Sequence, residues 1–164
     1  MLLKSINKIL AGLVFLLSLI VYTLTMAPTT SLWDCGEFIA TAYTLGVGHP
    51  PGAPLYLLLG NVMSNIPIFD NIGARVNLIS PLASALSVMF LYLIIVQMIQ
   101  YYKGKVKNLS DIIIVYTSAL IAALTFAFTD SHWFNAVESE VYALSTFFTA
   151  IIIWLILKWA ESTK

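Results

Sequence analysis

The chain has 164 residues, 60% of them apolar and only 10% charged, against roughly 25% charged in soluble domains, so it reads as an integral membrane protein and not as a soluble domain. Its formal net charge is zero, so the total says nothing about nucleic-acid or acidic partners, of which no nucleic acid is expected, and the information lies in where the charges sit. A single cysteine, Cys35, excludes an internal disulfide.

Lys4 and Lys8 precede an apolar run over 9–26, close to the ~20 residues needed to cross the hydrocarbon core, and this is the first expected span. A cleaved signal peptide is the rival reading. The run exceeds the roughly 7 to 15 apolar residues of such a signal, and Pro28 follows the small-residue site Ala27, so the span is expected to be retained. Thr29, Thr30 and Ser31 then offer helix caps, Ser31 with Asp34 fitting the Ser-x-x-acid pattern. The stretch Trp33-Asp34-Cys35-Gly36-Glu37 opens a helix expected over 32–45. Asp34 and Glu37 are three residues apart, and the stripe continues through Thr41 and Thr44. Both carboxylates therefore share the polar face of an amphipathic helix lying at the membrane interface.

Gly46, Gly48, Pro50, Pro51, Gly52 and Pro54 surround His49, a density that no helix interior accepts and that predicts a rigid turn. Pro54 suits the first position of a second loop helix over 54–66, which Pro67 ends. An apolar run of that length, roughly 10 to 14 residues, is interfacial or re-entrant rather than spanning, and it is expected to pair with the Asp34 helix as a hairpin. Asp70, Asn71 and Gly73 make the next turn, Arg75 follows, and the second span is expected over 82–101. Ser80, Ala83, Ser84 and Ser87 give that segment a face of small residues suited to close packing. Lys103, Lys105 and Lys107 form a basic turn, Ser110 is placed to cap the next helix, and Asp111 suits its positive end. The third span is expected over 112–129. A polar connector over 130–140 leads to the fourth, over 141–157, which Lys158 and Trp159 close.

The expected fold class is therefore an all-α polytopic membrane protein: four transmembrane helices, with a helical re-entrant or interfacial hairpin in the first extracytoplasmic loop. Four spans put the N-terminus, the 103–107 turn and the C-terminus on one side with all seven lysines, and the positive-inside rule makes that side cytoplasmic. The opposite side receives Asp34, Glu37, Asp70, Asp130, Glu138 and Glu140, both histidines and the only arginine, Arg75.

The run Trp33-Asp34-Cys35-Gly36-Glu37-Phe38-Ile39-Ala40, followed by Gly48-His49-Pro50-Pro51-Gly52-Ala53-Pro54-Leu55 and later by Glu138-Ser139-Glu140-Val141-Tyr142, resembles the transmembrane protein 260 type of protein O-mannosyltransferases and their bacterial relatives, within the C-type glycosyltransferase superfamily. The resemblance covers nearly the whole chain. It implies a multispan fold whose first extracytoplasmic loop carries a catalytic carboxylate, a polyprenyl-phosphate sugar as donor, and inverting transfer to a Ser or Thr hydroxyl of an exported protein, with mannose the expected sugar. Members of that family have many more spans, so the chain is expected to be the N-terminal part of a larger glycosyltransferase, or to act with a partner chain that supplies the missing spans.

Asp34 is the expected general base, because a carboxylate at a partly dry interface suits the removal of a proton from an attacking hydroxyl. Glu37 is expected to act beside it, since two neighbouring carboxyls acquire different pKa values. The competing reading makes Asp34 a helix cap and Glu37 a solvated surface group. Arg75 is expected either to hold the donor phosphate or to pair with Asp70, and His49 either to touch the substrate or to bond turn backbone. Glu138 and Glu140 are expected to help bind the substrate; a cap with Asn135 is the competing account of Glu138, whereas Glu140 lies deeper toward the fourth span, where an ionisable group is a functional candidate. A divalent cation held by His132, Asp130 and these glutamates has no supporting ligand spacing. Two other classes stand beside the enzyme: a non-catalytic membrane subunit or truncated remnant, and a small ion transporter component using the acids as a path.

Overall fold

The computed structural model describes residues 2–163, with side chains from Ser5 onward; Lys164 and the side chain of Lys4, two of the lysines used for orientation, lie outside the described residues. The described chain is all-helical. Helix α1 (Leu2–Thr25) is followed by α2 (Cys35–Thr44), α3 (Pro54–Ser64), α4 (Ile72–Asn77) and α5 (Ile79–Lys103). Then come α6 (Leu109–Ile112), a π-helical turn (Ile113–Thr117), α7 (Ser118–Ala127), α8 (Asp130–Ala136) and α9 (Val141–Ser162). Four segments are long and apolar enough to cross a membrane: Ser5–Thr25, Ile72–Lys103, Leu109–Ala127 and Val141–Ser162. Their number is the expected four, and each overlaps an expected span, differing at one or both ends.

The second span starts earlier than expected because Asn71 caps it: its side chain accepts from the amides of Gly73 (2.7 Å) and Ala74 (3.3 Å). Pro81 falls in the first turn of α5, where a missing N–H breaks no bond within that helix, and Leu78 marks the joint between α4 and α5. The third span is capped by Asn108, which accepts from the Asp111 amide at 2.8 Å, and not by Ser110. Asp111 accepts from the Lys107 amide and pairs with Lys103 at 3.2 Å.

Helix α5 is the central column, packed by α1, α7 and α9. Its small residues Ser80, Ala83, Ser84 and Ser87 are all buried, as their spacing predicts. One apolar cluster joins Val14 and Tyr22 of α1, Val88 and Tyr92 of α5, and Val115 and Ala119 of the third span. A second joins Phe38, Ile39 and Ala42 of α2 to Tyr56 and Leu57 of α3 and to Val76 and Ile79. Helix α9 leaves Tyr142, Ile152, Ile156 and Trp159 outward, the surface expected of a helix facing lipid.

The two loop helices do not form the antiparallel hairpin expected from sequence. Phe38 meets Tyr56, with ring centroids 5.5 Å apart, and Asn61 donates to the carbonyls of Ala42 and Tyr43 at 3.0 and 3.2 Å. A constant offset along both helices means that α2 and α3 run in the same direction. Residues 45–53 therefore double back along α2, beginning at Leu45 in the left-handed conformation (φ 51°). Gly60 permits the closeness of the pair, because a Cβ there would lie 2.7 Å from that of Ala42.

The bundle has two chemically distinct ends. At one, the Tyr22 hydroxyl donates to the Ala127 carbonyl and the Ala27 amide to that of Val137, both at 2.8 Å. At the other, Gln97 reaches Glu161 at 3.5 Å, beside the 103–107 turn and Lys158. Asp34, Glu37, Asp70, Asp130, Glu138 and Glu140 all lie between spans at the first end, Glu37 on α2 and Asp130 on α8.

Fully buried Asn77 ties that first end together. Its Nδ2 donates to the carbonyls of Ala27 and Thr29, each at 2.8 Å, while its Oδ1 accepts from the Ser139 hydroxyl at 2.5 Å and the Cys35 thiol at 3.7 Å. Removing such a group strands buried donors and acceptors, at about 1–3 kcal/mol for each one left unpaired. Asn77→Leu is expected to lower the thermal unfolding midpoint of the detergent-solubilised protein by several degrees, where Thr146→Ala on the outer face of α9 leaves it unchanged.

Candidate functional site

Asp34 sits at the start of α2, but its side chain makes no capping bond. The helix begins at Cys35 and not at 32 because Trp33 is in the left-handed region (φ 61°). The capping pattern read from Ser31 and Asp34 is not used: Ser31 instead donates to the Oε2 of Glu138, more than a hundred residues later. The Asp34 carboxylate is left 57% exposed, facing a cleft.

One turn further along α2, Glu37 binds the doubled-back segment. Its Oε1 accepts from the His49 amide at 2.6 Å and its Oε2 lies 2.9 Å from the His49 Nδ1. Glu37 is thus a clamp and not a solvated surface group. The other ring nitrogen, Nε2, faces Asp34 Oδ2 at 4.0 Å, too far for a hydrogen bond. Hydrogen bonding and the charge of Glu37 push the His49 pKa up, with smaller contributions from Asp34 and Glu140, and the bonds from His49 hold the Glu37 carboxyl below its usual range. These three side chains approach within 4.8 Å of one another, but Glu37 already spends both oxygens on His49.

Glu140 enters from the far side of the chain as the residue preceding α9. It is 7% exposed, and burial, then the charges of Glu138 and Asp34, push its carboxyl up. Asp34, His49 and Glu140 line a cleft of roughly 240 Å³ with Phe38, Leu57 and Tyr142. Four of the six sequence candidates, Asp34, Glu37, His49 and Glu140, therefore meet in one place. Glu138 is buried behind them; it is held by Ser31 rather than by a cap with Asn135, which bonds the Ser131 carbonyl. Arg75 stands apart. Its guanidinium donates to the carbonyls of Phe69 (2.6 Å), Ser64 (2.9 Å) and Asp70 (3.4 Å), which ties down the α3–α4 loop by backbone contacts and not by the expected carboxylate pair. His132 is buried in α8 against Phe126 and Tyr22; burial lowers its pKa to about 4. Sequence reading missed Asn77, whose one signal was an amide side chain within an apolar segment.

A bundle of four membrane-length helices carrying a carboxylate-lined cleft between the spans at one end defines a polytopic membrane protein with a polar site at that end. The family model for the Protein O-mannosyl-transferase TMEM260 N-terminal domain matches residues 34–164, and the chain belongs to that family. It is 29% identical over 143 residues to the Mus musculus Protein O-mannosyl-transferase TMEM260, covering 87% of this chain and 18% of the mouse protein. It is 26% identical over 145 residues to the Dictyostelium discoideum Protein O-mannosyl-transferase tmem260, covering 87% of this chain and 16% of that protein. The chain thus spans less than a fifth of the length of the curated relatives it matches. No solved structure matches it.

The chain has two histidines, so histidine-selective NMR resolves each. His49 is expected to titrate above the usual value and His132 well below it, and Glu37→Gln should bring the first back down without moving the second. The raised His49 pKa stabilises the fold below its unfolded value and is lost as pH rises through the folded one. The lowered Glu37 pKa stabilises above its unfolded value and is lost as pH falls through the folded one. The clamp is therefore strongest between the two.

Proposed function

We propose that this chain is the N-terminal part of a membrane mannosyltransferase that moves mannose from a polyprenyl-phosphate donor to a Ser or Thr hydroxyl of an exported protein. The observation that carries the reading is the Asp34 carboxylate, which opens on the cleft when it was free to cap its own helix. In the reaction, the acceptor oxygen attacks the anomeric carbon as its proton passes to Asp34. The bond from that carbon to the phosphate oxygen breaks with its electron pair leaving on the phosphate, so the configuration inverts. Glu140, buried and pushed up, differs from exposed Asp34 as acid and base partners in one site differ. The small fraction of each relative's length that is matched supports further spans, on a longer chain or a partner chain, as the source of the acceptor site. The acidic end faces outward and the lysine end the cytoplasm, the arrangement favoured by the positive-inside rule.

Asp34→Asn is expected to reduce mannosyl transfer from polyprenyl phosphomannose to a Ser/Thr peptide by about 100-fold or more, with folding intact; unimpaired transfer would remove Asp34 as the base. Orientation is testable because the native Cys35 is buried. A cysteine at Val47, which is 95% exposed, should react with an impermeant maleimide on intact cells, and one at Lys105 only after permeabilisation.

A further inference from the structure

The cleft that would receive a lipid-linked phosphate is anionic. Asp34 and Glu140 line it, and no Lys or Arg among the described residues does. Arg75 has its guanidinium committed to three carbonyls elsewhere. Among the described residues, the one group lining the cleft that can take up a positive charge is His49, and its position is set from two directions by Glu37: through the backbone amide at 2.6 Å, which fixes the turn, and through Nδ1 at 2.9 Å, which fixes the ring. That geometry directs the opposite nitrogen toward Asp34 and the cleft.

The turn carrying His49 has a second face. A groove of roughly 290 Å³, lined by Leu45, Val47, Pro54 and Leu58, shares Gly48, Gly52, Ala53 and Leu57 with the polar cleft. Val47 and Leu58 are exposed, and this groove carries no charged residue. Gly48 keeps the shared wall thin, since a Cβ there would press on Glu37 Oε1 at 3.2 Å. A polar cleft and an apolar groove on either side of one short turn match a molecule with an anionic head and a hydrocarbon tail.

Resting on the transferase reading above, the geometry points to a prenyl-phosphate subsite built on the His49 turn: the phosphodiester lies against His49 Nε2, Glu37 is the positioning residue that orients the ring, and the first isoprene units lie along Val47 and Leu58. The titratable groups around His49 are Glu37 of α2, Asp34 just before that helix, Glu140 just before α9, and Tyr142 in the first turn of α9. The first three are carboxylates, which favour the charged ring.

The test is binding of geranyl phosphomannose and of a long-chain polyprenyl phosphomannose to the full chain in nanodiscs across pH, with bare polyprenol as the control. A phosphodiester keeps one charge over this range, so any pH dependence belongs to the protein. Wild type should bind both, weakening by about tenfold in all as His49 loses its proton. His49→Gln should be about tenfold weaker and flat in pH, His49→Lys should restore affinity up to higher pH, and Glu37→Gln should move the midpoint down. Leu58→Asn should remove the advantage of the longer tail and leave geranyl phosphomannose unaffected. Unchanged binding by His49→Gln, equal binding of bare polyprenol, or loss of binding on adding a chelator, which would mean a divalent cation holds the phosphate, would each overturn the subsite. Transfer to a peptide is scored separately. Binding as described without transfer, once the remaining spans are supplied, removes the transferase reading and leaves the subsite, whereas transfer unaffected by His49→Gln removes the subsite alone.

Discussion

One amide side chain holds the acidic end of this protein together. The chain reaches that end twice: between the first and second spans, and between the third and fourth. Asn77, at the joint between α4 and α5, sits where the two visits meet, donating to carbonyls at the start of the first and accepting from Ser139 of the second. Within an apolar bundle these bonds have little competition from water, so the cost of leaving any of them unmade is large. Because Cys35 also leans on the same oxygen, the start of α2, and with it Asp34, is registered against the segment that delivers Glu140. A cleft lined by residues more than a hundred positions apart in the chain is the result.

Around that joint the site is organised by like charge. Four carboxylates, Asp34, Glu37, Glu138 and Glu140, come within one small region, and each has a different answer to the repulsion. Glu37 is neutralised by His49, Glu138 is bonded by Ser31, and Glu140 is pushed toward its protonated form by burial. Asp34 alone remains exposed without a hydrogen-bond partner in the helix it begins. This division of labour lets one of several chemically similar groups act as a base.

The spans were legible in the sequence because lipid imposes length and apolarity on each segment separately; the second and third began early where an unrecognised cap, Asn71 or Asn108, starts the helix, and α9 runs on past its expected end to Ser162. The Gly/Pro density around His49 likewise announced a turn. The direction of α3 was not legible. Two helices joined by a short loop default to an antiparallel arrangement, and the reversal here depends on the Glu37–His49 clamp, a contact made only after folding. The same applies to Ser31 and Asn135, each of which has a nearby sequence partner that explains it cheaply and takes a different one, and to Arg75, which bonds the carbonyl and not the carboxylate of Asp70. Three of six site candidates line the cleft, with Glu37 bonded behind His49, because carboxylates and histidine at an interface are costly enough to be few.

The central claim is that the loops at the acidic end form one site for a lipid-linked sugar, and photo-crosslinking tests it most directly. A polyprenyl phosphomannose carrying a diazirine on its first isoprene unit would be activated in native membranes and the labelled peptides mapped by mass spectrometry. The account predicts label on the 45–58 segment, competed by unmodified donor. Label confined to the outward face of α9, or insensitive to competition, would place the lipid on the bundle's surface and contradict it.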